Sequence, residues 1–511
     1  MASLVGFLYD SVRRAPRAEA LVAGARRIDY GELWRMVCGV TACLRGEGFT
    51  PGMRVGILLD NSPEYVAAYY GALGAGAVAV GLNHQAKARD LLNCLRHCDA
   101  SWLVASARHP ELAEIRQQLG HRLRLIVVGA SESSPRALAW DEAVRTPAMP
   151  ELAPDLLSVA AIIYTSGTTG QPKGVTLSHD NLASNVRAIV DYLRLQPSDR
   201  VLHVLPFYYS YGNSVLHTHL AAGACLVLEE GMVYPHRVLE RMVEEGVTGF
   251  SGVPATFALL LNRTRLGDYD LSRLRYVTQA GGAMAPAQVA RVRAALPHVE
   301  FFVMYGQTEA TARISYLPPS MLDRKPGSVG IPLPGTEIAV RSPDGQPAAV
   351  GESGEIWVRG PHVMQGYWGD PDATAQVLVD GWLRTGDLGH VDEDGFLYID
   401  GRLSDMIKTG AHRVSPQEIE EVVAEMVGVA EVAAIGVPDE LMGQLIKVVV
   451  VPQPGYTLEV RDVLAHCRNY LPLYKIPKFV EFASELPRTA SGKVQRFRLV
   501  AEPVPATGTG A

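Results

Sequence analysis

The residues best suited to chemistry begin at Tyr164. From there to Gly174 the chain reads YTSGTTGQPKG. This places the hydroxyls of Thr165, Ser166, Thr168 and Thr169, the glycines Gly167, Gly170 and Gly174 and the Lys173 cation directly after the apolar run Val159–Ile163. Glycine permits positive φ and close backbone approach, so successive N–H groups can converge on an oxyanion while hydroxyls and an ammonium add donors. The chemistry is a grip on phosphate oxygens. Lys173 is followed by Gly174 and not by a hydroxyl residue, so the spelling is not G-x-x-x-x-G-K-[ST] and a kinase or ordinary P-loop NTPase is disfavoured. Further on, YGQTEA spans Tyr305–Ala310. Glu309 offers the hard oxygen ligand that Mg2+ prefers, Thr308 can donate to a phosphate or a carboxylate, and Tyr305 can stack on a base. In RTGDLG, Asp387 can accept hydrogen bonds from both hydroxyls of a ribose. Gly281, Gly282 and Ala283 leave a backbone surface that a flat ring can approach. Taken singly, each stretch also fits a surface turn or a solvated side chain.

Such groups need strands that end at them. Arg54–Asn83 reads as strand, turn, helix and strand, with Ser62 as N-cap, Pro63 at the first helical position, Glu64 at the positive helix end, and termination near Gly74 and Gly76. Apolar runs at Trp102–Val104, Leu125–Val128, Ala160–Tyr164, Leu274–Thr278 and Phe301–Met304 alternate with helix-like stretches. The fold class is therefore α/β with largely parallel strands. Glu309 then stands at a strand's carboxyl end, where open α/β sheets place ligands. Asp180 is expected to cap a helix from Asn181 to about Leu193, with His179 just outside it as a hydrogen-bonding structural residue. Val253–Leu261 reads equally as core or as pocket lining. Residues 327–400, rich in β-branched and aromatic types between Gly and Pro, predict an antiparallel barrel-like subdomain. Ser415 and Glu418 spell a capping box that opens a small α+β unit.

At 511 residues the chain exceeds what one core usually supports, and about 100–200 residues per domain suggests two to four units. Apolar residues make up 48% and charged residues 20%, which excludes a disordered chain. A net charge of −7 without a basic stripe argues against nucleic acid as a partner. Six cysteines in this length make no disulfide framework, so a cytoplasmic location is expected. Cys94, His97 and Cys98 lack a second ligand pair at zinc spacing and read as helix thiols with a neighbouring histidine. The first residues place their apolar segment before the arginines, the reverse of a signal peptide, and no run of about 18 apolar residues could span a membrane.

The loop at Tyr164–Gly174, the hexapeptide Tyr305–Ala310, RTGDLG, Gly401–Lys408 (GRLSDMIK) and Pro487–Phe497 (PRTASGKVQRF) together resemble the motifs of the adenylate-forming (ANL) superfamily, acyl-CoA synthetase branch, over about Asp29 to Phe497. The resemblance implies an acid- and ATP-binding domain over 1–403, containing the β-rich 327–400, and a mobile C-terminal domain over 404–511. It implies ATP, Mg2+ and coenzyme A, and an acid activated as acyl-adenylate before thiol attack. Thr165 to Gly170 and Lys173 would hold pyrophosphate, Gly281–Ala283 and Tyr305 adenine, Asp387 and Arg402 ribose or phosphate, and Glu309 the metal. Lys493 would be the mobile catalytic lysine, acting with Thr308, Glu309 and Lys173. Ser404 takes the hinge position, usually Asp or Lys, and Gly410 and Ala411 face the thiol, with Ala411 where the family has glycine. Tyr209, Gly212, Val253 and Pro254 would line the acid pocket. Gly212 stands where amino-acid-activating members carry aspartate, which disfavours an amino acid, and Tyr209 stands where many relatives have histidine. Free CoA is the expected acceptor and a homodimer is left open. A separate carrier protein, an enzyme of one half-reaction, a luciferase-like oxygenase and a non-catalytic nucleotide binder are the alternatives.

Overall fold

The computed structural model describes residues 3–46, 50–145, 147, 149–150, 155, 158–165, 173–410, 412–489 and 494–500. Ser166, Gly167, Thr168, Thr169 and Gly170, together with Ala411 and Lys493, lie outside the described residues.

Helix Pro63–Ala75 forms as its sequence dictates: Ser62 Oγ accepts from Tyr65 N at 3.1 Å and Gly76 ends it. Such a cap is worth about 1 kcal/mol. Every residue of this helix is buried, and so is nearly all of helix Ser210–Ala222. The two meet through Tyr70 Oη and His217 Nδ1 at 2.8 Å. They share one hydrophobic core with residues from two sheets.

The larger sheet has 14 strands. Cys225–Leu228, Arg200–His203, Gly249–Gly252, Tyr276–Gln279 and Glu300–Tyr305 run parallel. The direction then reverses through Ser315–Leu317 and Ser328–Pro332, and the antiparallel strands of the β-rich region continue the same sheet. The hairpins expected over 327–400 are thus joined edge to edge with the parallel strands. The second sheet has 8 strands, parallel from Val159–Thr165 outward to Ala137–Ala139. A third sheet of 5 strands, within 407–482, has its own apolar cluster around Ile419, Val448 and Val463. Among the described residues no helix is long and apolar enough to cross a membrane.

Val159–Thr165, the strand before the expected phosphate loop, pairs antiparallel with Lys173–Ser178, Thr165 opposite Lys173. Two expectations need correction. The helix that follows spans His179–Tyr192 and is capped by Ser178, not Asp180. Asn181 N donates to Ser178 Oγ at 3.1 Å while Ser178 N donates to Asn181 Oδ1 at 2.8 Å, a reciprocal pair that Asp180 could not make two residues later. His179 is then the first helical residue, and among the described residues its buried Nδ1 has no hydrogen-bond partner. At Ser415 the capping box does not form, because the hydroxyl donates to the Asp400 carbonyl and Glu418 pairs with Lys475.

Candidate active site

The carboxyl end of Glu300–Tyr305 gathers most of the expected groups. Tyr305 Oη donates to Asp387 Oδ2 at 2.7 Å, and Arg402 Nε donates to Asp387 Oδ1 at 2.6 Å. Asp387 and Arg402 are cross-strand partners in the antiparallel pair Trp382–Val391 and Leu397–Arg402, so the register itself brings them together. The Asp387 carboxylate raises the Arg402 guanidinium above its ordinary value, and burial raises the Tyr305 phenol. Two of the roughly four lone-pair sites of the buried Asp387 carboxylate are taken, which leaves acceptor capacity for ligand hydroxyls.

Beyond Tyr305 the chain makes a tight turn. Thr308–Ala310 is a single 3-10 turn, followed by Thr311 and Ala312 at φ +52° and +77°. Two consecutive non-glycine residues in the left-handed region cost on the order of 1–3 kcal/mol each. The turn is held by Ala312 N donating to Gln307 O at 3.0 Å and Thr311 Oγ1 to His362 O at 2.5 Å. Its outcome is that Thr308 Oγ1 donates to Ser210 Oγ at 3.1 Å and Glu309 Oε1 accepts from Tyr367 Oη at 2.9 Å. Lys173 Nζ lies 4.7 Å from the centroid of the same Tyr367 ring, which joins the phosphate hairpin to the Glu309 turn. Tyr367 and Ser210 were missed by sequence reading; the Gly-Tyr-Trp run at Gly366–Trp368 was the available signal.

Among the described residues no group of three or more His, Cys, Asp or Glu could hold a metal ion. Glu309 Oε2 has no hydrogen-bond partner among the described residues. One hard oxygen donor, linked through Tyr367 to the Lys173 cation, fits Mg2+, which takes one or two carboxylates plus phosphate oxygens and water. In the Cys94–Cys98 region His97 Nδ1 lies 2.9 Å from Tyr164 Oη, and burial pushes the Cys98 thiol up to about 11.

Of the residues expected to line the acid pocket, Tyr209 occupies the N-cap position of helix Ser210–Ala222, its ring 4.4 Å from that of Tyr208. Tyr211 Oη bonds Thr278 O at 3.0 Å and Oγ1 at 2.8 Å, and the buried Arg313 guanidinium lies 4.2 Å from the Tyr211 ring centroid. Val253 and Pro254 stand at the start of helix Pro254–Arg263, where Phe257, Ala258 and Leu260 turn into the core. Val253 Cγ1 lies 3.2 Å from where a Cβ on Gly281 would sit, and Gly281 itself is at φ +87°, so a side chain there would be strained as well as crowded. Gln279 Nε2 donates to Gly282 O at 2.8 Å and ties this loop to the strand before it, with Ala283 exposed beside it.

Gly212 does not face a pocket. A Cβ there would lie 2.2 Å from the Pro206 carbonyl oxygen and 3.0 Å from that of Leu205. The missing aspartate is thus a consequence of backbone packing as well as of chemistry. Gly212→Asp is expected to destabilise by at least about 1–3 kcal/mol, the ordinary cost of overpacking, and to confer no amino-acid activation. Thermal melts and pyrophosphate exchange with amino acids check this; a stable, amino-acid-active variant would refute it.

The remaining groups sit after Arg402. Ser404 is exposed in a turn and donates to Asp405 Oδ1 at 2.9 Å. Gly410, at φ +57°, donates its N–H to Met442 O at 2.8 Å at the tip of the hairpin Ile407–Thr409 and His412–Val414. Lys493 lies outside the described residues; of those around it, Arg488 and Val494 form a β-bridge and Gln495 N donates to Pro487 O at 2.7 Å.

A family model described as AMP-binding enzyme matches residues 8–368, and one described as AMP-binding enzyme C-terminal domain matches 418–493. A feruloyl-CoA synthase of Amycolatopsis sp is 38% identical over 484 residues, covering 94% of this chain and 95% of that protein. An indoleacetate–CoA ligase of Aromatoleum aromaticum is 34% identical over 491 residues, covering 94% of each. The crystal structure of an anthranilate CoA ligase in complex with anthranoyl-AMP superposes with a TM-score of 0.90 at 28% identity, covering 97% of this chain and 96% of that one.

Proposed function

The chain belongs to the AMP-binding enzyme family and is an AMP-forming carboxylic acid:CoA ligase acting through an acyl-adenylate, and from that premise we propose which residues do each part and which acid is taken. An acid carboxylate oxygen attacks the α-phosphorus of ATP and pyrophosphate leaves; a thiol then attacks the acyl carbon and AMP leaves. Both partners of the first step are anionic, so the protein contributes alignment and charge compensation more than covalent help.

The carrying observation is the hydrogen-bonded set Tyr305–Asp387–Arg402 at one strand end, with Thr308 and Glu309 on the turn that follows. Asp387 accepts from the ribose hydroxyls, Arg402 orients that carboxylate through its hydrogen bond, and the Gly281–Ala283 loop gives adenine an exposed backbone face. Thr308, oriented by Ser210, meets the reacting carboxylate or α-phosphate. Lys173 and the loop of residues 165–170 hold the leaving pyrophosphate. Glu309 would hold Mg2+, which when bound neutralises phosphate charge. Lys493 brings a further cation between carboxylate and α-phosphate. Residues 1–403 and 404–511 form the two domains, Ser404 is the hinge between them, and Gly410 and Ala411 receive the thiol of free CoA. ATP and CoA as co-substrates suit a cytoplasmic enzyme.

The acid is aromatic and carries no α-ammonium group. The Tyr209 and Tyr211 rings at the start of helix Ser210–Ala222 and the feruloyl and indoleacetate ligases among its relatives support this class. ATP–pyrophosphate exchange across aryl-propenoic, aryl-acetic, benzoic, fatty and amino acids tests it. Exchange is expected with the aryl acids, followed by CoA-dependent AMP release. Exchange confined to fatty acids would overturn the acid class, and none with any acid would overturn the residue assignments.

A further inference from the structure

Residues 364–368 lie as a strap between two parts of the site. Met364 N donates to Glu309 O at 2.9 Å, Gln365 N to Thr176 O at 2.9 Å and Trp368 N to Gly174 O at 2.7 Å. Gly366 and Tyr367 pair with Thr176 and Val175, adding a strand to the phosphate-loop hairpin. Tyr367 N donates to Thr374 Oγ1 at 2.9 Å, and that hydroxyl donates to Asp370 O at 2.7 Å, so the tyrosine backbone is fixed from a neighbouring helix as well. Its side chain closes the strap: the hydroxyl is on Glu309 Oε1 at 2.9 Å and the ring lies under Lys173 Nζ at 4.7 Å.

We propose that Tyr367 is a positioning residue that couples the phosphate-loop lysine to the Glu309 carboxylate, so that nucleotide phosphates and the divalent cation bind as one unit. The inference rests on the roles given above to Lys173 and Glu309. A phenol has one proton to donate. Given to Oε1, it restrains the carboxylate and leaves Oε2 as the oxygen that would take a cation. Outer hydrogen bonds of this kind are commonly worth about 10–100-fold in metal affinity. The negative face of the ring attracts the lysine ammonium and restricts a long side chain that would otherwise sample many rotamers. The ring also gives cation and carboxylate separate partners. A direct Lys173–Glu309 ion pair would withhold both from the substrate, and the structure has none between these two residues.

The test is calorimetric ATP binding to the full chain, with Mg2+ and with EDTA. Tyr367→Phe keeps the ring and loses the hydroxyl. The Mg2+-dependent tightening of ATP binding is expected to fall about tenfold, with affinity in EDTA unchanged. Tyr367→Leu, which loses the ring too, weakens ATP binding in EDTA as well. KM for the acid stays constant in Tyr367→Phe, which a merely structural defect would not allow. A double-variant cycle with Glu309→Gln supplies a second measurement: Tyr367→Phe adds nothing once the carboxylate is gone. Wild-type Mg2+ dependence in Tyr367→Phe, equal losses with and without Mg2+, or additive double-variant effects would overturn the coupling. A wild-type protein that binds ATP with no response to Mg2+ would instead sink the Glu309 assignment on which the coupling stands.

Discussion

Replacing Lys493 with alanine lowers acid-dependent ATP–pyrophosphate exchange roughly 10²–10³-fold, equivalent to about 2.7–4 kcal/mol of lost transition-state stabilisation, the scale of removing one preorganised charge-stabilising donor. The effect is large because a carboxylate and a triphosphate must approach each other. Lys173 lies back at the phosphate hairpin, against the Tyr367 ring, and Arg402 is engaged with Asp387. A cation delivered between the reacting oxygen and the α-phosphorus therefore has few substitutes. Three residues after Lys493, Arg496 Nη2 contacts both oxygens of Glu420, at 2.7 and 2.9 Å, and Arg496 Nη1 lies 3.6 Å from Asp405, next to the proposed hinge Ser404. Thioester formation from a supplied acyl-adenylate plus CoA is expected to survive, since that step does not need the cation. Quenched-flow measurement of pyrophosphate release separates the two steps. A normal pyrophosphate burst from Lys493→Ala would remove the lysine from the mechanism.

Acidification between pH 6.5 and 5.5 should destabilise the protein by about 5 kcal/mol. Five histidines are buried in the neutral form. Burial pulls His203 and His217 down to about 3 and His179, His219 and His362 down to about 4. In the unfolded chain each titrates near 6.5, so over this pH unit the unfolded state takes up protons that the folded state refuses, about 1 kcal/mol per histidine. Because the folded values are depressed, the stability is fully present above pH 6.5 and is lost as pH falls toward the folded values. Carboxylates lowered by arginine partners, such as Glu19 beside Arg200, act later, below their ordinary range near 4.5. The upper window thus belongs to the histidines. Thermal melts at pH 7.5, 6.5 and 5.5, with proton uptake measured in two buffers, check this. A flat melting temperature across that range would contradict it.

Much of the site was legible because it is spelled in contiguous residues. Tyr305, Thr308 and Glu309 come from one hexapeptide, and the strand before them delivers all three. Ser62–Pro63–Glu64 likewise announced its helix, because a cap acts on N–H groups within three residues. Errors arose where a local pattern had a tertiary competitor. Ser415 had the spelling of a capping box, but its hydroxyl found the Asp400 carbonyl and Glu418 found Lys475. Asp180 was a good cap in isolation, but Ser178 and Asn181 satisfied each other two residues earlier.

The sequence by itself determined the chemistry on offer: a loop rich in hydroxyls, glycine and one lysine for phosphate, a carboxylate at a strand end for a cation, and an aspartate for a ribose. It also determined the α/β alternation, since strand and helix periods are properties of neighbouring residues. Only the tertiary structure decided which groups meet. Lys173 and Glu309 are far apart in the chain and are joined by Tyr367, which only the fold brings to both. Gly212 is glycine partly because the Pro206 carbonyl oxygen fills the place of its side chain. Contacts of this kind depend on sheet order and strand register, which are set by burial summed over the whole core and leave no mark on any single short stretch.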